Sequence, residues 1–171
     1  EIMSSDWSSD VCSSDLPGHF AQARRVRLTA ALTERLYAEE RIDIGWWERG
    51  VERRHYAIRS PLLARWASKT DRSTKHTRGA NMAFWRDDLL AINGFDMDYQ
   101  GWGRNDIDTA ARLLHHGLGR TYIRQAAIAF HLFHPGLSKD QVPDNQERYE
   151  HTLATGKVRC ANGLAQIDEQ P

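Results

Sequence analysis

The sequence is poor in the features that most readily assign a chain. It has 2 cysteines in 171 residues, Cys12 and Cys160, with no C-x-x-C spacing, which excludes a disulfide framework and a cysteine metal knuckle. Such sparse usage fits a reducing compartment, so a cytoplasmic setting is the expectation. No apolar run approaches the ~20 residues that a membrane-spanning helix needs. The first residues lack the basic start and apolar block of a secretory leader. Charge of one sign is lacking too. The 23 Lys and Arg balance 23 Asp and Glu, so net charge gives no reason to expect nucleic acid or an acidic partner.

What is present is unevenly placed. Arg41 to Arg86 is mostly basic, and carboxylates dominate from Asp87 onward. The basic stretch reads first as a solvated face, and second as a contact for phosphate groups of a membrane surface or a nucleotide. "SSDWSSDVCSSDL", within residues 1–16, is polar and repeats Ser-Ser-Asp. "VCSSDL" resembles translated sequencing-adapter DNA, so residues 1–16 are set aside as an artefact or a disordered leader. Residues 17–171 remain as one domain's worth of chain.

Periodicity supplies the elements. Leu28, Leu32 and Leu36 share one face of a helix over Leu28–Glu40, with Thr29 placed to cap it. Pro61 opens a short helix carrying Leu62, Leu63 and Trp66. "SKTDRSTKHTRGA" is aperiodic and reads as a loop, mobile if nothing binds it, and "NMAFW" as a brief strand. "RDDLLAING" reads as a helix capped by Asp87, with Gly94 just past its end. Asp106–His116 forms an amphipathic helix with Ile107, Ala111 and Leu114 inward, Asn105 as cap and Gly117 as stop. Arg120–Phe133 is a strand buried on both faces, and "DNQERYEHTLATG" a modest helix. The order predicts an α/β fold.

The stretch "GWGRNDIDTAARLL" carries the chemistry. One capping residue would start its helix, yet it offers Asn105, Asp106 and Asp108 behind a tryptophan set between Gly101 and Gly103. A carboxylate in a first helical turn is held ionised by the free N–H groups and the dipole, which suits a general base. The flat face of Trp102 can pack on a sugar's C–H surface, and the glycines let backbone approach a ligand. Read from the residues alone, capping is the better account of Asp106 and core packing the better account of Trp102.

From Gly79 the chain runs G-x-N-x-x-F-x-R (Gly79, Asn81, Phe84, Arg86), then N-G-F-D (Asn93–Asp96), then G-W-G-x-x-D (Gly101–Asp106), then Arg112-Leu113, then a strand ending in His131. In this order and spacing it resembles the C-terminal half of GT-A glycosyltransferases, in particular family 2 bacterial sugar transferases with a galactosyltransferase-type C-terminal region. The resemblance implies a mixed-sheet, Rossmann-like fold of which the nucleotide-binding half is missing, because residues 17–78 contain no D-x-D after an apolar strand. It implies transfer of a sugar, with inversion, from a nucleotide-sugar donor to a saccharide or lipid-linked acceptor in surface polysaccharide or lipid-linked oligosaccharide synthesis. Peripheral contact with the inner face of a membrane is part of that picture, and nucleic acid is not. Asp106 is implied as the base, and Gly101, Trp102, Gly103, Asn105, Arg78 and Asn81 as substrate-binding residues. His131, with His134 second, is implied as a ligand of Mn²⁺ or Mg²⁺. The family usually has Glu where this chain has Asn105, which changes acceptor preference. A segment without the donor half is expected to be inactive alone.

Two other classes stay open. One is a metal hydrolase built on His131, His134, His115 and Asp106, although no compact ligand motif is present. The other is a non-catalytic sugar- or nucleic-acid-binding module, suggested by the aromatics and arginines of "GWWERGVERRHY".

Overall fold

A computed structural model describes residues 17–167, so the artefact or leader expected at residues 1–16 lies outside the described residues. The framework is a four-stranded mixed sheet in the order β2-β4-β1-β3, with helices packed against it, as an α/β chain requires. β1 (His19–Arg27) and β4 (Gly119–His131) run parallel at its centre. β2 (Lys69–Asp71) lies antiparallel on β4, and β3 (Met82–Ala83) antiparallel on β1.

β1 escaped the sequence reading. Its "HFAQARRVR" interleaves Gln and Arg with apolar residues, yet Phe20, Gln22 and Val26 are almost wholly buried. Gln22 is tolerated inside because its amide donates to the His76 carbonyl and its oxygen accepts from Arg120. β4 ends at His131, two residues before the expected Phe133, and only its first half is buried as predicted. The β1–β4 register breaks after Ala23↔Ile123 and resumes at Arg24↔Ile128, leaving residues 124–127 outside the ladder. The Asn81 amide secures this bulge by donating to the carbonyls of Arg24 and Ala127, at 2.8 and 3.2 Å.

α1 (Ala30–Ala38) is capped by Thr29, whose hydroxyl accepts from the Leu32 N–H, and it buries Leu32 and Leu36 beside Leu28 as the spacing predicts. α2 (Pro61–Ala67) is capped by Ser60 and leaves Leu62, Leu63 and Trp66 exposed. α3 (Arg86–Ala91) lacks the predicted Asp87 cap; Trp85 holds that position and Asp87 lies in the first turn. Its end is as expected. Asn93 takes a left-handed φ of 64°, and the N–H groups of Asn93 and Gly94 return to the carbonyls of Leu90 and Leu89. α4 (Asn105–His115) begins at Asn105, so this residue is helical rather than the cap; Arg104, with φ 73°, precedes it. α4 packs Ala110, Leu113 and Leu114 against Phe20, Ile92 and Leu118 in the main core. α5 (Val142–Thr155) lies alongside α4, and a short α6 (Leu164–Ile167) completes the described chain.

The segment after β2 is no mobile loop. Arg120 donates to both Asp71 oxygens and to the carbonyl of Lys75, and the Thr74 and Tyr149 hydroxyls are 2.9 Å apart. Its polarity misled because its partners are side chains from β4 and α5, which no local pattern reveals.

Close packing near α6 gives a stability test. A Cβ at Gly163 would stand 1.9 Å from the Asn93 carbonyl oxygen and 2.8 Å from the Cys160 sulfur. Gly163→Ala is therefore expected to destabilise the chain by about 1–3 kcal/mol, read as a lowered urea midpoint. An unchanged midpoint would contradict this packing.

Candidate functional site

The carboxylates in the first turn of α4 differ in their surroundings. Asp108 serves the fold. It is fully buried, pairs with the equally buried Arg112 at 2.7 Å and accepts from the Thr152 hydroxyl at 2.7 Å. Arg112 then reaches back to the Ile92 and Gly94 carbonyls at 2.8 Å each, closing the end of α3. Asp96 is also structural, buried and bonded to Lys157 at 3.2 Å. The N-G-F-D and Arg-Leu motifs are thus joined by one buried polar network.

Asp106 stands apart from it. Half-buried in the first turn of α4, it accepts the Gly79 N–H at 2.6 Å through one carboxylate oxygen. The close approach explains Gly79, since a Cβ there would sit 3.0 Å from the Asp106 Cβ. Asn105, beside it, has a buried side-chain oxygen without a hydrogen-bond partner among the described residues.

The glycine-flanked loop is fixed from below. Gly101 and Gly103 have φ of 66° and 106°, where side chains are strained. The Trp102 N–H donates to the Ser138 carbonyl at 3.1 Å, and the buried Asn145 amide donates to the carbonyls of Gln100 and Trp102. With its backbone held, the Trp102 ring is 49% exposed and so is not a core residue; the Lys139 ammonium lies 5.6 Å from its centre.

A group of cations borders Asp106. Arg25 is pushed below the usual guanidinium range by burial, then by Arg78 and Arg27, with Asp106 acting in the opposite sense. It stays protonated, as arginine does throughout the working range. His131, opposite Arg27 in the β1–β4 register, is pushed below its ordinary value by burial, then by Arg25, His134 and Arg27. Arg25 thus lies within electrostatic range of both Asp106 and His131. The sequence reading missed Arg25 and Arg27; an arginine pair closing a strand was the available signal.

The predicted residues divide accordingly. Asp106, Arg78, Asn105 and the loop Gly101-Trp102-Gly103 flank the start of α4, and His131 and His134 lie at the end of β4, their ring centres 5.1 Å apart. Asn81 instead ties β1 to the β4 bulge. His115 bonds the Lys157 carbonyl nine residues along α4 from Asp106, about 14 Å away, so the hydrolase set does not converge.

As a metal site the histidine pair is incomplete. A neutral imidazole can ligate, but Mn²⁺ and Mg²⁺ take mainly oxygen donors. The neighbours here are guanidinium groups, and no group of three or more His, Cys, Asp or Glu able to hold an ion occurs among the described residues. These residues do not fit such an ion by themselves.

The shift at His131 has a testable sign. Its folded-state affinity for a proton is below that of the unfolded chain, which therefore protonates first as pH falls. Stability linked to His131 is full above about pH 6.5 and declines below it. An NMR titration of the ring is expected to give a midpoint under 6.5. A midpoint at or above that value would show that neither burial nor the neighbouring cations hold the ring neutral.

Sheet order and helix placement describe an α/β domain, and its sequence is similar to that of glycosyltransferases. Residues 60–135 match the family model described as the N-terminal domain of galactosyltransferase. Chondroitin sulfate synthase 3 of Homo sapiens and its counterpart in Mus musculus are each 38% identical over 63 residues, covering 30% of this chain. That stretch covers only 7% of either relative. The matches carry the glycosyltransferase likeness; placement in the C-terminal half of a longer enzyme rests on motif order alone.

Proposed function

We propose that this chain is the acceptor-side part of an inverting glycosyltransferase that moves a sugar from a nucleotide-sugar donor to a saccharide acceptor. Asp106 removes the proton from the attacking hydroxyl, and that oxygen displaces the nucleoside diphosphate from the opposite face of the anomeric carbon. Trp102 lies under the acceptor ring, and the unpartnered Asn105 oxygen takes a hydrogen bond from one of its hydroxyls. Arg25, Arg27 and Arg78 meet the charge that develops on the departing diphosphate. The observation that carries this reading is that the Asp106 carboxylate, in the first turn of α4, is held at the surface by the Gly79 N–H and follows the exposed, backbone-fixed Trp102. No step is routed through a metal.

The named relatives favour a saccharide acceptor. A lipid-linked acceptor and peripheral membrane contact are the secondary proposal, supported by the exposed Leu62, Leu63 and Trp66 of α2. No helix among the described residues is long and apolar enough to cross a membrane. The deciding experiment is transfer by a donor-competent form of the enzyme with Asp106 altered, set out in the Discussion.

A further inference from the structure

A second basic concavity lies at the other end of the segment that reaches Asp106. Alternation along β4 puts Arg120, Tyr122 and Arg124 on one face, and the β2 register sets Lys69 opposite Tyr122 and Asp71 opposite Arg120. Lys75 and His76, from the segment after β2, complete a cavity of about 240 Å³. Its lining holds four permanent cations and one carboxylate, and that carboxylate is already engaged by Arg120 at 2.8 Å. Asp71 is held below the usual carboxylate range, chiefly by that hydrogen bond, so it does not neutralise the remaining cations.

Lys69, Lys75 and Arg124 have no carboxylate partner among the described residues. The Arg124 Nε is buried and unpartnered, and its guanidinium lies 5.1 Å from the centre of the Tyr122 ring. Like charges gathered around a cavity repel, and an entering anion relieves that repulsion. A planar guanidinium and two ammonium groups suit a compact oxyanion.

Position supplies the function. Gly79, whose N–H bonds Asp106, lies only four positions after Lys75, so the two points are at most about 14 Å apart. That is within the length of a short oligosaccharide. We propose that this cavity binds an oxyanion, a carboxylate or a phosphate, carried on the acceptor chain away from the hydroxyl that reacts. The inference rests on the reading of this chain as the acceptor side.

The test titrates the full chain with D-glucuronate, glucose 6-phosphate and neutral glucose, following NMR signals of residues 69–76 and Tyr122. The anionic sugars are expected to shift these signals saturably and more weakly as salt rises, while glucose does not. Replacing the two exposed lysines together (Lys69→Ala with Lys75→Ala) should weaken anion binding about tenfold, and Arg65→Ala, outside the cavity, should not. If the double variant fails to fold, Lys75→Gln alone carries the comparison. Tighter glucuronate assigns a carboxylate as the ligand, and tighter glucose 6-phosphate a phosphate. Equal response to glucose, or anion binding untouched by the lysine changes, overturns the proposal. Asp106→Asn alters no residue of the cavity. Anion binding that survives a failed base assignment, or fails while transfer to a neutral acceptor depends on Asp106, therefore separates the two readings.

Discussion

Asp106→Asn is expected to lower kcat for sugar transfer by about 10²–10⁴-fold in a donor-competent form of the enzyme, with donor affinity and melting temperature near those of the parent. The substitution is chosen for what it keeps. An asparagine oxygen still accepts the Gly79 N–H, so the backbone over the site stays in place. What disappears is the capacity to take a proton. Asp106→Ala removes the Gly79 bond as well and should add a loss of order in the 78–79 segment. Equilibrium binding of the donor beside single-turnover transfer decides the matter. A kcat within a few-fold of the parent would remove Asp106 from the chemistry, and a lost donor affinity would move it to the donor.

Asp108→Ala, two residues along the same helix, is expected to behave oppositely. Removing one partner of a fully buried pair leaves the other charge uncompensated, at a cost of about 3–5 kcal/mol. Here that charge is the Arg112 guanidinium, buried beneath the end of α3, and the Thr152 hydroxyl loses its acceptor too. Chemical denaturation should show a large fall in midpoint, or no cooperative transition at all. A loss under about 1 kcal/mol would mean that water or a rearranged side chain reaches Arg112. The two variants together would thus tell the proposed chemistry of Asp106 from the architecture held by Asp108.

That separation shows what the sequence could disclose. Helix positions followed from Leu28, Leu32 and Leu36, from Pro61, and from the glycines at 94 and 117, because these signals are local. The different surroundings of Asp106 and Asp108 were illegible, since they depend on Thr152 and Gly79 meeting α4 from 44 and 27 residues away. β1 was missed for a related reason. Its buried Gln22 depends on His76 and Arg120, and its arginines acquire meaning only beside His131. The motif Asn81 looked like a ligand contact, whereas its amide holds the β4 bulge. Motif resemblance located the region of interest; which residue within each motif faces the edge of the site needed the contacts between distant segments.

The stretch from residue 71 to 79 is held at several points, by the Arg120 and Gln22 side chains, the Tyr149 hydroxyl, the Asp106 carboxylate, and its own Arg72 reaching the Leu114 carbonyl. A ribbon tethered in this way conveys small displacements instead of absorbing them. Tension introduced at α5 or along β4 would therefore arrive at the Asp106 carboxylate, the group proposed here to take the proton, so that distant parts of the chain would bear on how far its oxygens reach.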